Sequence, residues 1–132
     1  LYPCPEAVAK TIALRTLLTR GLEIVSAGFS PAVGNSCDIN LMMQYEWMEP
    51  DEDATYSLRG TVWTVEGNPR SIGTFSLEMK YSSGGLDRNF ILATVTTDIF
   101  GITESTKLRL EWTVYSSKRP NQPVNSGTIN MY

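Results

Sequence analysis

Polar and apolar residues alternate along the chain between residues 38 and 47, with Met42 as the one exception. The apolar positions of this run are Ile39, Leu41, Met43, Tyr45 and Trp47. The same period-two pattern returns over residues 75–81 and 108–114. Because side chains alternate between two faces only in an extended strand, each run predicts a β-strand with one buried and one exposed face.

Further strands are predicted where strand-forming residues lie between turn signals. Together the predicted strands cover residues 22–29, 39–47, 55–65, 74–81, 90–97, 107–115 and 128–132. Breakers such as Gly67-Asn68-Pro69 and Gly84-Gly85 keep the connections short, which favours antiparallel pairing over βαβ units. A single flat sheet of six or seven strands leaves its apolar face in water, so the sheet must fold over or close.

The chain is therefore predicted to be one mainly β domain over residues 1–132. Its antiparallel strands occupy residues 38–132, and they form either a β-sandwich or a small barrel. A helix is predicted over residues 6–20, because Pro5 suits a first helical turn and Gly21 suits a stop. The apolar positions of this region also share one parity, so a long strand is the alternative.

The only two cysteines, Cys4 and Cys37, flank this N-terminal segment. We expect a disulfide between them, worth about 3–4 kcal/mol in the chain-entropy model. Two buried free thiols are the alternative. The chain begins with Leu1, as it would after removal of a signal peptide, and together with the predicted bridge this indicates a secreted protein.

Composition excludes several classes of function. The sequence contains no histidine, so it cannot supply a Ser-His-Asp or Cys-His nucleophile system, and most zinc sites are excluded as well. No glycine-rich phosphate loop is present, and no carboxylate pair shows glycosidase spacing. We therefore predict a non-enzymatic protein that holds no cofactor and no metal. The acidic run over residues 49–53 lacks the layout of a calcium loop, which favours a solvated hairpin tip.

The charge pattern and hydropathy limit the partners. The net charge is −3 and the basic residues are scattered, whereas nucleic-acid binding needs a concentrated basic face. No segment approaches the roughly 20 apolar residues that a membrane-spanning helix requires. Nucleic acids and a membrane span are therefore not expected.

Most aromatic residues lie in phase with the apolar set of their strand and are predicted to be buried. The in-phase residues are Tyr45, Trp47, Tyr56, Phe75, Tyr81 and Trp112. Trp63 and Tyr115 are out of phase, as is Met42. Either a bulge near Gly60 resets the phase or Trp63 points outward, and outward aromatics are typical anchors for protein or glycan partners. The alternative is that a helix or the opposite sheet covers these positions.

A proline-stiffened stretch over residues 116–123 is predicted as a loop before the last strand. It would present Lys118 and Arg119 to an acidic partner. A solvated crossover without a contact role is the alternative.

Three functions fit these features. The first is a secreted binding or recognition module, effector-like or adhesion-like, that contacts a protein or glycan through Trp63, Tyr115, Met42, Lys118 and Arg119. The second is a carrier of a small apolar ligand inside the β core, lined by Met43, Phe75, Met79 and Leu110. The third is a structural subunit of a virion or surface assembly, forming a homo-oligomer when the edge strand 128–132 pairs with a neighbour.

Overall fold

The computed structural model describes residues 21–32, 34, 36–47, 53–80, 88–98 and 107–131. This part of the chain forms seven β-strands and no helix. The strands are β1 (Leu22–Pro31), β2 (Ser36–Glu46), β3 (Thr55–Thr64), β4 (Ser71–Lys80), β5 (Arg88–Asp98), β6 (Leu108–Ser116) and β7 (Arg119–Met131). The predicted helix over residues 6–20 lies outside the described residues.

The strands form two antiparallel sheets that pack face to face as a sandwich. One sheet has the order β1-β2-β5, and the other has the order β4-β3-β6-β7. The chain crosses between sheets after β2, after β4 and after β5, as in Greek-key sandwiches. The predicted antiparallel β fold is confirmed, and of the two alternatives the sandwich is the one observed.

The core lies between the two sheets and is built from the alternating positions that the sequence pattern singles out. On β2 every second residue from Cys37 to Tyr45 is buried, and the same alternation continues along β3 and β6. The largest fully enclosed side chain is Trp112, which is 2% exposed. Its indole ring lies against Gly127 of β7, where an added Cβ would come within 2.8 Å of the ring. The predicted core aromatics Tyr45, Tyr56 and Phe75 are also buried.

The last strand is longer than predicted, and the predicted loop over residues 116–123 is wrong for most of its length. β6 and β7 are joined by a tight turn at Ser117 and Lys118, and β7 begins at Arg119. It continues through Pro120 and Pro123 because it is an edge strand, where the N–H that proline lacks is not needed by a second neighbour. Register shifts around Tyr115 accommodate this irregular first half.

The two lateral sides of the sandwich differ. On one side β4 and β5 contact each other, so closely that a Cβ at Gly73 would meet the Val95 side chain at 2.3 Å. On the other side lie the edges of β1 and β7, which approach each other where Gly21 meets Asn125. Within the described ranges, no helix is long and apolar enough to cross a membrane.

Candidate functional site

The outer surface of the four-stranded sheet, called the four-stranded face below, gathers the polar and aromatic residues that alternate with the core positions. Its central strands β3 and β6 contribute Arg59, Thr61, Trp63, Arg109, Glu111, Thr113 and Tyr115. Its edge strands β4 and β7 contribute Thr74, Ser76, Glu78, Ser126, Thr128 and Asn130. Apart from its aromatic and charged residues, the face is lined by hydroxyl and amide side chains.

Trp63 lies on this face, half-buried, opposite Arg109 of β6. The β3–β6 register runs without interruption through Gly60, so no bulge there resets the phase, and the outward orientation considered from the sequence is the observed one. The indole N–H of Trp63 and the Nε of Arg109 are both buried and have no hydrogen-bond partner in the described part of the chain. Unpaired buried donors are rare in folded proteins, so this pair is an unusual feature of the surface.

At the other end of the face, Arg59 lies over the ring of Tyr115. The guanidinium carbon is 4.7 Å from the ring centroid, which is cation–π geometry. Tyr115 is half-buried and Arg59 is exposed. Because Tyr115 pairs with Ser57, six positions before Trp63, the two aromatic residues are about 20 Å apart along the strands.

Three charged side chains of alternating sign follow one another along this face, from Arg109 beside Trp63 through Glu111 to Arg59 beside Tyr115. Thr61 pairs with Glu111, which places Glu111 between the row of Arg59 and the row of Arg109. Successive rows on one face of a sheet are separated by about 7 Å. In the described part of the structure these three side chains make no ion pair with one another.

The outer surface of the three-stranded sheet, the three-stranded face, is different in character. Val25, Met42 and Leu92 form an exposed apolar row there, with Met42 40% and Leu92 71% exposed. The rest of this face carries cross-strand hydrogen bonds, in which Thr96 Oγ1 donates to Asp38 at 2.6 Å and Thr94 Oγ1 donates to Asn40 at 3.2 Å. Met42 is thus exposed, but the sandwich separates it from Trp63 and Tyr115, and the three do not form one patch.

Lys118 and Arg119 lie at the β6–β7 turn and are exposed. The backbone N–H of Lys118 donates to Ser116 Oγ at 3.2 Å, and the neighbouring Ser117 Oγ accepts from the Thr55 N–H at 3.0 Å. The first bond holds the turn to the end of β6, and the second ties it to β3. The turn therefore borders the Tyr115 end of the four-stranded face rather than forming a separate loop.

The four residues expected to line a ligand cavity all lie in the central core cluster. The Phe75 ring lies so close to Gly60 that an added Cβ would be 2.3 Å from it and 3.1 Å from Leu110. At this point the inner face of the four-stranded sheet leaves no room for even a methyl group. Within the described ranges no three His, Cys, Asp or Glu residues group as metal ligands, and most of the acidic run 49–53 lies outside those ranges.

One end of the core holds a cluster of aromatic rings around Tyr45. The Tyr45 ring centroid lies 5.1 Å from that of Trp47 and 6.3 Å from that of Trp112, both edge to face. Asn125 Nδ2 of β7 donates to the Tyr45 hydroxyl at 3.2 Å. Burial raises the pKa of the Tyr45 phenol above its usual 10.0, while the Asn125 hydrogen bond acts in the opposite direction.

Cys37 is buried at the start of β2, but Cys4 lies outside the described residues. The disulfide between them stays a prediction. It would attach the N-terminal segment at the end of the sandwich that is distant from Tyr45, because Cys37 and Tyr45 lie at opposite ends of β2.

Arg59, Arg109 and Glu111 were not predicted as site residues. Arg59 has the same outward parity as Trp63 on β3, and Arg109 and Glu111 alternate with the buried Trp112 on β6. A search for charged residues in that phase could have found them. Leu92 offered no such signal, because it lies in the continuous apolar run 90–93.

No protein-family model matches the sequence, and no curated protein matches it. Among solved structures, the chain is similar to part of a putative β-galactosidase from Bacteroides fragilis, with a TM-score of 0.56 and 15% identity over 83% of this chain and 15% of that one. It is also similar to a bacterial adhesin from Mobiluncus mulieris that contains intramolecular cross-links, with a TM-score of 0.53 and 9% identity over 77% of this chain and 50% of that one. The chain thus spans at most half the length of these two structures, and at such identities the similarity shows the β-sandwich fold alone.

Proposed function

We propose that this chain is a non-enzymatic, secreted binding module that recognises a protein partner through the four-stranded face. The observation that carries the proposal is the placement of Trp63, Arg109, Arg59 and Tyr115 on one outer sheet surface. Tryptophan, tyrosine and arginine are the residue types most enriched among the dominant contacts of protein interfaces. Among the residues whose side chains the structure describes, the opposite surface offers three exposed apolar side chains, Val25, Met42 and Leu92.

The local geometry favours a protein over a glycan. A sugar ring that binds an aromatic side chain stacks on its face, but Arg59 already lies over the ring of Tyr115. Trp63 is half-buried with its indole N–H enclosed, so little of it is free for stacking. A protein partner does not need access to the face of the Tyr115 ring, because it can pack against the edge of the Arg59–Tyr115 pair and contact the Arg59 guanidinium.

The alternating charges add specificity. A complementary surface carries acidic groups opposite Arg59 and Arg109 and a basic group opposite Glu111, spaced about 7 Å apart along the strands. Since these charges have no ion-pair partner among the described residues, binding need not break existing pairs. Lys118 and Arg119, at the Tyr115 end, extend the positive rim.

The non-enzymatic and secreted parts of the proposal rest on the sequence. The chain has no histidine, and the predicted Cys4–Cys37 bridge requires an oxidising compartment. The same kind of β-sandwich occurs in a bacterial adhesin, so the fold is compatible with a binding role.

The test is capture of partners from an extract of the organism that encodes the chain, followed by binding measurements with the purified partner. The wild-type chain is compared with Trp63→Ala and with Arg59→Ala. Leu92→Ser is the matched control, because Leu92 is 71% exposed but lies on the three-stranded face. Circular dichroism and thermal unfolding establish that every variant is folded.

The proposal predicts a captured protein whose affinity falls at least about tenfold in the two four-stranded-face variants, which corresponds to about 1.4 kcal/mol, and stays unchanged in Leu92→Ser. An array of purified glycans, probed with the same variants, separates the alternatives. Glycan binding that depends on Trp63 would show that the partner is a glycan and not a protein. Loss of binding only in Leu92→Ser would show that the binding site lies on the three-stranded face.

A further inference from the structure

The four edge strands of the sandwich are not equally protected against pairing with another chain. β4 and β5 contact each other along one side of the sandwich. On the other side, β1 carries a register irregularity between Ile24 and Ser26 and ends in Pro31. Bulges, prolines, charges and coverage are the devices by which natural sheets prevent edge-to-edge association.

The edge strand β7 has these devices only in its first half. Arg119, Pro120 and Pro123 occupy that half, and the register with β6 shifts there. From Asn125 to Met131 the strand contains neither charge nor proline, and it pairs with β6 in an unbroken register from Val114 to Leu108. This half of β7 is therefore regular and uncharged, and among the described strands it is the outermost of its sheet.

We propose that a second copy of this chain pairs with the segment Asn125–Met131, so that two β7 strands meet antiparallel about a twofold axis at Thr128. In this register Thr128 lies opposite its own copy, and Ser126 lies opposite Asn130 of the other copy. These three side chains are exposed and point to the same face. Threonine pairs and serine–amide pairs across antiparallel strands are favourable, and no charged residue lies in this segment, whereas the edge strand β4 carries Glu78 and Lys80.

The pairing would join two four-stranded sheets into one continuous sheet of eight strands. A twofold axis perpendicular to the sheet puts the four-stranded faces of both copies on the same side. The projected area then grows from about 400 Å² to about 800 Å², the amount that one partner contributes to an interface of standard size. Only this last consequence depends on the proposed function, and the pairing itself does not.

The register makes the proposal testable by cross-linking. Residues directly opposite in an antiparallel pair have Cα atoms about 4.5–5.5 Å apart, which lies within the range that a disulfide bridges. Thr128→Cys should therefore form a covalent dimer under mild oxidation, seen by electrophoresis without reductant. Thr74→Cys is the matched control, because Thr74 is also an exposed threonine of an edge strand, on the opposite side of the same sheet. It should stay monomeric.

Sedimentation velocity of the unmodified chain from micromolar to millimolar concentration provides the second readout. We expect a concentration-dependent dimer that is lost in Thr128→Lys, where two ammonium groups would meet at the axis, and kept in Thr74→Lys. A chain that sediments as a monomer throughout, with no cross-link through Cys at 128, overturns the proposal. Equal cross-linking at 74 and 128, or a dimer that survives Thr128→Lys, overturns it as well.

Discussion

Arg59 of β3 places its guanidinium carbon 4.7 Å from the centroid of the Tyr115 ring on the neighbouring strand β6. The pair is assembled on the outer surface of the four-stranded sheet before any partner arrives. Its side chains therefore lose less conformational freedom on binding than two independent side chains would. This geometry also occupies the ring face that a sugar would need.

The Arg59–Tyr115 pair should have a small, measurable coupling energy. A double-mutant cycle of Arg59→Ala and Tyr115→Ala, measured by urea unfolding, should give about 0.5–1 kcal/mol, as expected for a cation–π contact at the surface. The same cycle with Arg109→Ala in place of Arg59→Ala should give no coupling. A coupling near zero for Arg59 and Tyr115 would mean that the contact does not persist in solution.

Gly60 should not tolerate a side chain. In Gly60→Ala the new methyl group would meet the Phe75 ring inside the sandwich, so we expect a loss of about 1–3 kcal/mol in the free energy of unfolding. The neighbouring outward position provides the control, because Thr61→Ala should change stability by less than about 0.5 kcal/mol. Adding Phe75→Leu to Gly60→Ala should cost less than the two single changes summed, since the smaller side chain removes the clash. Additive losses would contradict this description of the packing.

The stability of the fold should fall at alkaline pH because of Tyr45. Burial raises its pKa in the folded chain above the ordinary 10.0, so above that pH the unfolded chain loses the phenolic proton first. Deprotonation then favours the unfolded state, and the free energy of unfolding declines as the pH rises past 10, whereas below it this group has no effect. Urea titrations at neutral pH and above 10 should show a smaller decline in Tyr45→Phe than in wild type. Phe75→Leu, a change in the core that removes no titratable group, serves as the control and should keep the full decline.

The predicted Cys4–Cys37 bridge should be visible in the mass of the denatured protein. The oxidised chain is lighter than the reduced chain by two hydrogen atoms. Reduction should lower the free energy of unfolding by about 3–4 kcal/mol, because it releases the loop between the two cysteines. An unchanged mass on reduction, with two thiols reactive in the denatured protein, would show that the bridge is absent.

The sandwich core could be predicted because burial in a sheet leaves a period-two imprint on the sequence. Trp112 and Tyr45 are buried where the pattern places them, and Trp63 is displaced from the core by the same parity. The first part of β7 escaped prediction because Pro120 and Pro123 are typical of loops, whereas its last residues lie in the predicted strand 128–132. Only the position of β7 at an edge, which depends on the pairing of distant strands, makes these prolines compatible with a strand.

The candidate site was predicted only in part, and the reason is that its members come from different strands. Parity identifies the outward direction of Trp63, Tyr115 and Met42, but it does not tell which sheet each strand joins. The pairing of β3 with β6 brings Trp63 beside Arg109, and membership of the other sheet takes Met42 to the opposite face. Which residues are neighbours across strands depends on the sheet topology, and a local sequence pattern does not predict that topology.

The most direct test of the proposed binding surface is an NMR titration of the isotope-labelled chain with its purified protein partner. The amide shifts of Arg59, Trp63, Arg109, Glu111 and Tyr115 should change together, along with the indole N–H signal of Trp63. Signals from the Met42 and Leu92 face should stay in place. Shifts confined to that opposite face, or to the Lys118–Arg119 turn alone, would contradict the assignment of the four-stranded face as the site of recognition.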